Sequence, residues 1–133
     1  MELLLIFLGL VGIWYVFFKK DDVDHEKELQ LVRQNFMLLN DSYGKIPLYE
    51  GNSSYTENKK TITLCIRDPQ TKQYYDRNTI MYVALHELAH TVSKKHGHGD
   101  EFKENFTKIL KDAQLRGIYD PHRPIPQNYC PIC

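Results

Sequence analysis

Three stretches of the chain carry apolar side chains in the pattern of a helix with one buried face. They span residues 25–39, 76–95 and 100–116. Residues three or four positions apart lie on the same side of an α-helix, so each stretch predicts a helix that packs on a core. Asp76 or Asn78 is a suitable N-cap for the second helix, and Gly117 is suited to end the third.

The segment between the first two helices has the pattern of short strands. Residues 59–67 alternate apolar and polar side chains, which predicts a β-strand. Residues 45–49 predict a shorter strand, and Pro47 marks it as a sheet edge because proline lacks the N–H that a central strand needs. The polar residues 51–58 predict a turn. The predicted fold class is α+β, with helices packed on a small β-sheet.

The start of the chain has a different apolar pattern. Residues 3–18 are sixteen uncharged, almost wholly apolar residues without a polar face. As a helix they span about 24 Å, which suits a bilayer core of about 30 Å if Trp14, Tyr15 and the lysines 19 and 20 reach the interfaces. The acidic first residues and the large aromatic residues at the end do not fit a cleaved signal peptide. We therefore predict an uncleaved transmembrane anchor, with a buried core helix as the alternative.

These patterns divide the chain into four segments. They are a transmembrane anchor at 1–18, a charged linker at 19–24, a folded domain at 25–120 and a tail with proline and cysteine at 121–133. The positive-inside rule places the lysines after the anchor, and the domain, on the cytoplasmic side. The chain has three cysteines, fewer than a small secreted domain usually carries. The predicted localisation is a single-pass membrane protein with its folded domain facing the cytoplasm.

Composition narrows the choice of partners. At 133 residues there is room for one small domain. Lysine plus arginine equals aspartate plus glutamate, 17 of each, and the formal net charge is 0. This balance gives no strong nucleic-acid signal. These features predict a membrane as a partner, through the N-terminal helix.

The second predicted helix contains the pattern H-E-x-x-H, as His86-Glu87-Leu88-Ala89-His90. Histidines four residues apart lie on one face of a helix, where both imidazoles can bind one metal ion. Glu87 lies beside them, where it can take a proton from a water bound to that metal. The pattern therefore predicts a zinc site with Glu87 as its base. The alternative is a pair of ordinary surface histidines on an amphipathic helix.

A catalytic zinc site needs a third protein ligand. His98 lies in the loop that Gly97 opens, from which it can return to the metal. His96 stands ten residues after His86, as in the metzincin pattern, but Ser93 occupies the position where that pattern has a glycine. His98 is the predicted third ligand and His96 the alternative. An acidic ligand from the next helix is a further possibility, with Glu101 and Glu104 as candidates.

The pieces H-E-L-A-H and H-G-D-E-F, at residues 86–90 and 98–102, resemble the compact zincins of the SprT-like and WLM (Wss1-like) type. The stretch from about 75 to 129 also resembles small metallopeptidase-like proteins of large DNA viruses. The resemblance implies a minimal zincin-like domain that binds Zn²⁺ through His86, His90 and His98, with Glu87 as the base. It also implies a sheet-edge strand beside the active-site helix, at 64–67 or a neighbour, that pairs with an extended substrate.

The function predicted is a membrane-anchored zinc peptidase that hydrolyses bonds of a peptide or protein substrate through a zinc-bound water activated by Glu87. The DNA-linked substrates of SprT-like and WLM proteins are not carried over, because no DNA-binding module is recognisable here. The alternative is a non-catalytic viral membrane or virion protein with a structural zinc site. Another zinc hydrolase, such as an amidase, stays open.

The remaining cysteines and tyrosines carry weaker signals. Cys65 is expected to be a small buried residue of the strand. Cys130 and Cys133 form a C-x-x-C pair, which suits half of a zinc site or a redox pair. Tyr119 and Tyr129 are candidates to donate a hydrogen bond to a developing oxyanion in the zinc cleft.

Overall fold

A computed structural model describes residues 26–133 of the chain. The predicted anchor at 1–18, the linker at 19–24 and the start of the first helix lie outside the described residues. Between residues 26 and 133, no helix has the length and apolar composition needed to cross a membrane.

The described chain is an α+β fold, as the sequence predicts. Its elements, in order, are helix α1 at residues 26–39, a 3₁₀ turn at Asp41–Lys45, strands β1 (Leu48–Glu50), β2 (Tyr55–Glu57) and β3 (Thr61–Leu64), and helices α2 (Arg77–Val92) and α3 (Asp100–Leu115). The three helices are found where the apolar patterns place them.

The sheet has the strand order β1-β3-β2. The central strand β3 pairs in parallel with β1 and antiparallel with β2. Residues 62–66 are all buried, so both faces of this segment are covered, although their alternating sequence suggests one apolar face. Strand β2 lies within the segment predicted to be a turn, because its three residues carry no apolar alternation. It forms an edge of the sheet.

Helix α2 lies between the sheet and α3 and contributes the largest share of the core. It contacts β2, β3 and α3. Its N-cap is Asp76, one of the two predicted caps, whose carboxylate accepts a hydrogen bond from the Thr79 N–H. The helix ends at Val92, three residues before the end of the predicted stretch, because Ser93 adopts an extended backbone. Gly117, with φ +72°, follows the end of α3 as predicted.

The tail returns to the sheet and is joined to it by a disulfide between Cys65 and Cys130. Cys65 is buried, as expected, but it is bonded rather than a free thiol. Half of a zinc site and a redox pair, the two possibilities left open for Cys130 and Cys133, do not fit the structure, since Cys130 is bonded to Cys65 and Cys133 is a free, exposed cysteine. Spacing favoured the nearer partner, whereas the fold brings together two residues 65 positions apart.

Replacing both disulfide cysteines, Cys65→Ser with Cys130→Ser, should lower the free energy of unfolding by about 3 kcal/mol, because the cross-link restricts a long loop of the unfolded chain. Urea denaturation of the parent chain, with its disulfide formed, and of the double variant measures the difference in the free energy of unfolding. The matched control Cys133→Ser should change it by less than about 0.5 kcal/mol, since that side chain is exposed. An unchanged free energy in the double variant would show that the disulfide does not form.

Candidate metal centre

Helix α2 carries two histidines on one face, one turn apart. The ring centroids of His86 and His90 are 5.1 Å apart, and both residues are half-buried. The pair lies in the C-terminal half of the helix, with His90 in its last turn, and the helix packs against the sheet and α3. The spacing of the sequence motif therefore produces the side-by-side arrangement expected from it.

The loop between α2 and α3 brings a third histidine to this pair. Gly97, with φ +85°, adopts a backbone conformation that favours glycine and turns the chain back. His98 Nε2 then lies 3.1 Å from His90 Nε2. One nitrogen from each of His86, His90 and His98 can be chosen so that all three lie within 4.8 Å of one another.

The alternative third ligands lie outside this cluster of described residues. His96 is exposed and is not a member of the cluster, although it lines a cavity of about 260 Å³ beside His90 and His98. Glu101 Oε1 accepts a hydrogen bond from the Lys95 N–H, and Glu104 forms an ion pair with Lys108. Of the candidates from the sequence, the structure brings His98 to the helix pair.

Lys59 holds the loop that carries His98. Its Nζ donates hydrogen bonds to the carbonyl oxygens of His90 (3.3 Å), Ser93 and Lys95 (2.9 Å). These are carbonyl groups at the end of α2, which have no partner within the helix and attract a cation. Lys59 itself has φ +58° at the turn between β2 and β3. Sequence reasoning missed this role, because Lys59 reads as an ordinary charged turn residue.

Phe102 forms an aromatic support for all three imidazoles. Its ring centroid is 4.4 Å from that of His90, 4.9 Å from His98 and 5.0 Å from His86. The side chain is buried in the first turn of α3. This explains why the H-G-D-E-F segment places a phenylalanine four residues after His98: the ring restricts the positions that the histidines can adopt.

Glu87 is fully buried beside the histidines, with 0% of its surface exposed. Its Oε2 accepts a hydrogen bond from Thr56 Oγ1 at 3.2 Å, and the same hydroxyl lies 3.0 Å from the Glu87 carbonyl oxygen. Its Oε1 is buried and has no hydrogen-bond partner in the described chain. Burial raises the pKa of Glu87 to about 8, and the Thr56 hydrogen bond offsets part of that rise. A buried carboxylate with one unpaired oxygen is costly, which points to a use in chemistry.

The histidines of the helix are held in the neutral form that binds metals. Burial, followed by the neighbouring His90, lowers the pKa of His86 to about 4. Burial and the neighbouring His98 also lower the pKa of His90. Neutral imidazole offers a free nitrogen lone pair, whereas the protonated ring offers none.

The three imidazoles fit a zinc ion by number and chemistry, and one of the three pairs also fits by spacing. Zinc bound to nitrogens at about 2.0 Å in a tetrahedron requires nitrogens about 3.3 Å apart. The 3.1 Å between His90 and His98 is close to this value. Three nitrogen ligands leave the fourth position available, and the unpaired oxygen of Glu87 is buried beside the cluster. The residues present therefore supply three nitrogen donors suited to zinc, with a buried carboxyl group in the same helix.

The tail reaches this cluster, which the sequence did not indicate. The carbonyl oxygen of Cys133 lies 3.2 Å from His86 Nε2 and 3.1 Å from His90 Nε2. Cys133 lines the same cavity of about 260 Å³ together with Thr56, Lys59, His90 and His98. A larger cavity, about 540 Å³, lies beside the Arg67–Glu50 ion pair and contains none of the site residues predicted from the sequence.

The two candidate tyrosines have other contacts. The Tyr129 hydroxyl donates to the Cys65 carbonyl oxygen and lies 3.0 Å from Ser54 Oγ. The Tyr119 ring packs against Tyr82, with centroids 5.7 Å apart. Tyr129 thus fastens the tail to the sheet, and its hydroxyl is already used. The hypothesis that it donates a hydrogen bond to an oxyanion has no support from its contacts.

Comparison with known proteins places this geometry in a family. Residues 55–122 match the model of the WLM domain. "Uncharacterized protein 042R" of Invertebrate iridescent virus 3 is 46% identical over 90 residues, covering 68% of this chain and 57% of the relative. "Uncharacterized protein 136R" of Invertebrate iridescent virus 6 is 43% identical over 89 residues, covering 65% of this chain and 50% of the relative. The chain thus spans about half the length of the curated relatives it matches.

The fold also resembles a solved structure. The crystal structure of Wss1 from Saccharomyces cerevisiae superposes with a TM-score of 0.59 at 21% sequence identity. The match covers 74% of this chain and 84% of the Wss1 chain. This likeness shows that the two proteins share a fold.

Proposed function

Because this chain belongs to the WLM domain family, whose model matches residues 55–122, we propose that it is a zinc-dependent peptidase. The observation that carries the proposal is the buried Glu87 carboxylate, with one unpaired oxygen, beside three clustered imidazoles. A site that only held the fold together would have no use for such a carboxylate. The reaction proposed is hydrolysis of a peptide bond in an extended polypeptide.

His86, His90 and His98 are the proposed zinc ligands. Zinc bound there supplies Lewis acidity, which lowers the pKa of a water and polarises the scissile carbonyl. The low pKa of His86, about 4, keeps this imidazole neutral and ready to bind down to mildly acidic pH. Phe102 packs against the ring of the third histidine, and Lys59 holds the loop that carries it through the Lys95 carbonyl oxygen.

Glu87 is the proposed general base. Burial alone, which raises its pKa to about 8, would leave Glu87 mostly protonated at neutral pH, but a zinc cation at the histidines would favour the carboxylate. That carboxylate accepts the proton of the attacking water and later passes it to the nitrogen of the leaving amine. The hydrogen bond from Thr56 to Oε2 restricts the orientation of the carboxylate and leaves Oε1 without a partner in the described chain. Thr56 therefore acts as a positioning residue.

Replacing Thr56 with valine should lower kcat about tenfold, because the carboxylate loses the hydrogen bond that orients it. Thr56→Ser keeps the hydroxyl and should restore kcat to near the parent value. Steady-state cleavage of an unfolded protein by the three chains gives kcat and KM separately. If serine and valine reduce kcat equally, the hydroxyl has no positioning role.

The outer edge of β2, on the side away from β3, is the proposed binding surface for the substrate backbone. The sequence placed this surface at 64–67 or on a neighbouring strand. Strand β3 is central, so the neighbour β2 provides the edge. Thr56 of this strand contacts Glu87 of α2, which places the edge beside the proposed base. Main-chain pairing binds an extended peptide with little demand on its sequence.

One observation favours the structural-zinc alternative. The Cys133 carbonyl oxygen lies beside both helix histidines, so the chain itself can close the fourth side of the site. Structural zinc sites are closed by protein ligands, whereas catalytic sites keep a position for water. The membrane anchor at 1–18 and the cytoplasmic placement of the domain remain predictions from the sequence.

The test is reversible removal of the metal from the full chain, kept soluble in mild detergent. The chain is treated with a chelator, reloaded with zinc or with magnesium, and incubated with unfolded casein. Mass spectrometry then identifies the new termini. The proposal expects new amino termini with zinc and none after chelation or with magnesium. Cleavage that survives chelation, or release of ammonia without new termini, would contradict it.

A further inference from the structure

The last residues of the chain pair with the sheet beside the metal centre. The Ser54 N–H donates to the Pro131 carbonyl oxygen at 2.9 Å, and the Cys133 N–H donates to the Ser54 carbonyl oxygen at 2.9 Å. Ser54 and Ile132 form a parallel bridge. Ser54 directly precedes β2, so the segment 131–133 lies along the edge proposed to bind substrate.

The paired segment 131–133 runs toward the histidines of helix α2. Backbone groups of residues two apart on a strand point to the same edge, so Thr56 follows Ser54 along the edge that the tail occupies. The tail runs in the direction of β2, from Pro131 to Cys133, which brings its last residue to the histidines. There the Cys133 carbonyl oxygen lies within 3.2 Å of Nε2 of both His86 and His90. This backbone oxygen of the chain lies where a peptide substrate bound along the same edge would bring its own carbonyl oxygen.

Two contacts just before this segment hold it in place. Cys130 is joined to Cys65 by the disulfide. The Tyr129 hydroxyl donates to the Cys65 carbonyl oxygen and contacts Ser54 Oγ, while its ring lies 4.7 Å from that of Tyr75. Tethering gives the segment a high effective concentration at the cleft, even if its own two hydrogen bonds are weak.

We propose that residues 131–133 are a built-in competitor of substrate, which pairs with Ser54 at the start of the β2 edge and presents the Cys133 carbonyl oxygen to the metal centre. The inference rests on the proposed function, because it concerns the same cleft. The competing group is the backbone, since the carbonyl oxygen contacts the histidines and the Cys133 thiol is free and exposed. Substrate gains access when the segment leaves the edge, while the disulfide at Cys130 stays in place.

The test measures binding without turnover. In the full chain carrying Glu87→Gln, the affinity for fluorescein-labelled casein is measured by anisotropy, with and without residues 131–133. The deletion keeps Cys130 and therefore the disulfide. Two hydrogen bonds are lost from the competing segment, so Kd should fall about tenfold. Far-UV circular dichroism and zinc content show whether the shortened chain is folded.

Two full-length variants show whether the competition depends on the Cys133 backbone or on its thiol. Cys133→Pro removes the N–H that donates to Ser54 and should tighten casein binding about threefold. Cys133→Ser keeps the backbone and should leave Kd unchanged. Equal Kd values for the parent, the deletion and the proline variant would overturn the inference, and relief by Cys133→Ser would overturn its assignment to the backbone. The deletion could tighten casein binding while no chain that retains Glu87 cleaves casein. In that case the proposed peptidase function would be wrong, and the inference that residues 131–133 compete for the binding edge would be supported.

Discussion

Replacing Glu87 with glutamine is expected to lower kcat for casein hydrolysis by about 100- to 10,000-fold, the usual contribution of a general base. Glutamine has the same shape, and its amide oxygen can still accept the hydrogen bond from Thr56. It cannot accept a proton at neutral pH. The loss should therefore appear in kcat, with little change in the fold.

Zinc content distinguishes this loss from damage to the site. The Glu87→Gln chain should retain one zinc per chain, because Glu87 is not among the clustered imidazoles. Glu101→Gln is the matched control, since Glu101 lies in the next helix and its carboxylate contacts the Lys95 backbone. A near-parental kcat in the Glu87→Gln chain would show that Glu87 is not the general base. Loss of zinc from that chain would show instead that Glu87 is a ligand or supports the site structurally.

Replacing His98 with alanine should weaken zinc binding at least about 100-fold, because loss of a ligand exceeds the loss seen for an outer-sphere partner. His96→Ala is a close control, two residues away in the same loop, and should change zinc affinity less than about twofold. Competition with a chromogenic chelator measures both. The geometry carries the prediction, since His98 belongs to the cluster and His96 does not.

The opposite order of effects would revise the site. If His96→Ala released zinc and His98→Ala did not, the loop would have to rearrange around Gly97, and the metzincin-like spacing would be correct. Equal effects would mean that the loop as a whole, rather than one imidazole, supports the metal. Casein cleavage by the same two variants should follow zinc content.

The parts of this fold that could be predicted are those with local signals. Helix α2 begins at its predicted cap because Asp76 satisfies a free N–H of the first turn. The motif on that helix fixes the spacing of His86 and His90 without help from the rest of the chain. His98 was preferred to His96 because Gly97 and Gly99 break the helix around it, and the resemblance supported that choice.

The parts that were missed depend on contacts between distant residues. Strand β2 has only three residues, and it is a strand because β3 pairs with it. Lys59 contacts the end of a helix more than thirty residues away, which no local pattern could indicate. The position of the tail depends on the bond between Cys65 and Cys130. With three cysteines, spacing does not determine which two are joined.

The disulfide and the lysines after the predicted anchor favour different compartments. The lysines favour a cytoplasmic domain, whereas disulfides persist mainly in oxidising compartments. Residues 26–133 do not test the anchor or its orientation, so both remain predictions. Alkylation of the chain in intact cells should block only the Cys133 thiol if the disulfide forms there, and all three cysteines if the domain stays reduced.

The most direct test of the central claim is the number of new amino termini released per zinc-loaded chain. The full chain and the chain lacking residues 131–133 are each assayed on casein in mild detergent, with zinc content measured in the same samples. The account predicts one zinc per chain and many new termini per chain in both proteins, with the shortened chain cleaving at lower casein concentration. One zinc per chain with no new termini from either protein would contradict it, and the metal would then be structural.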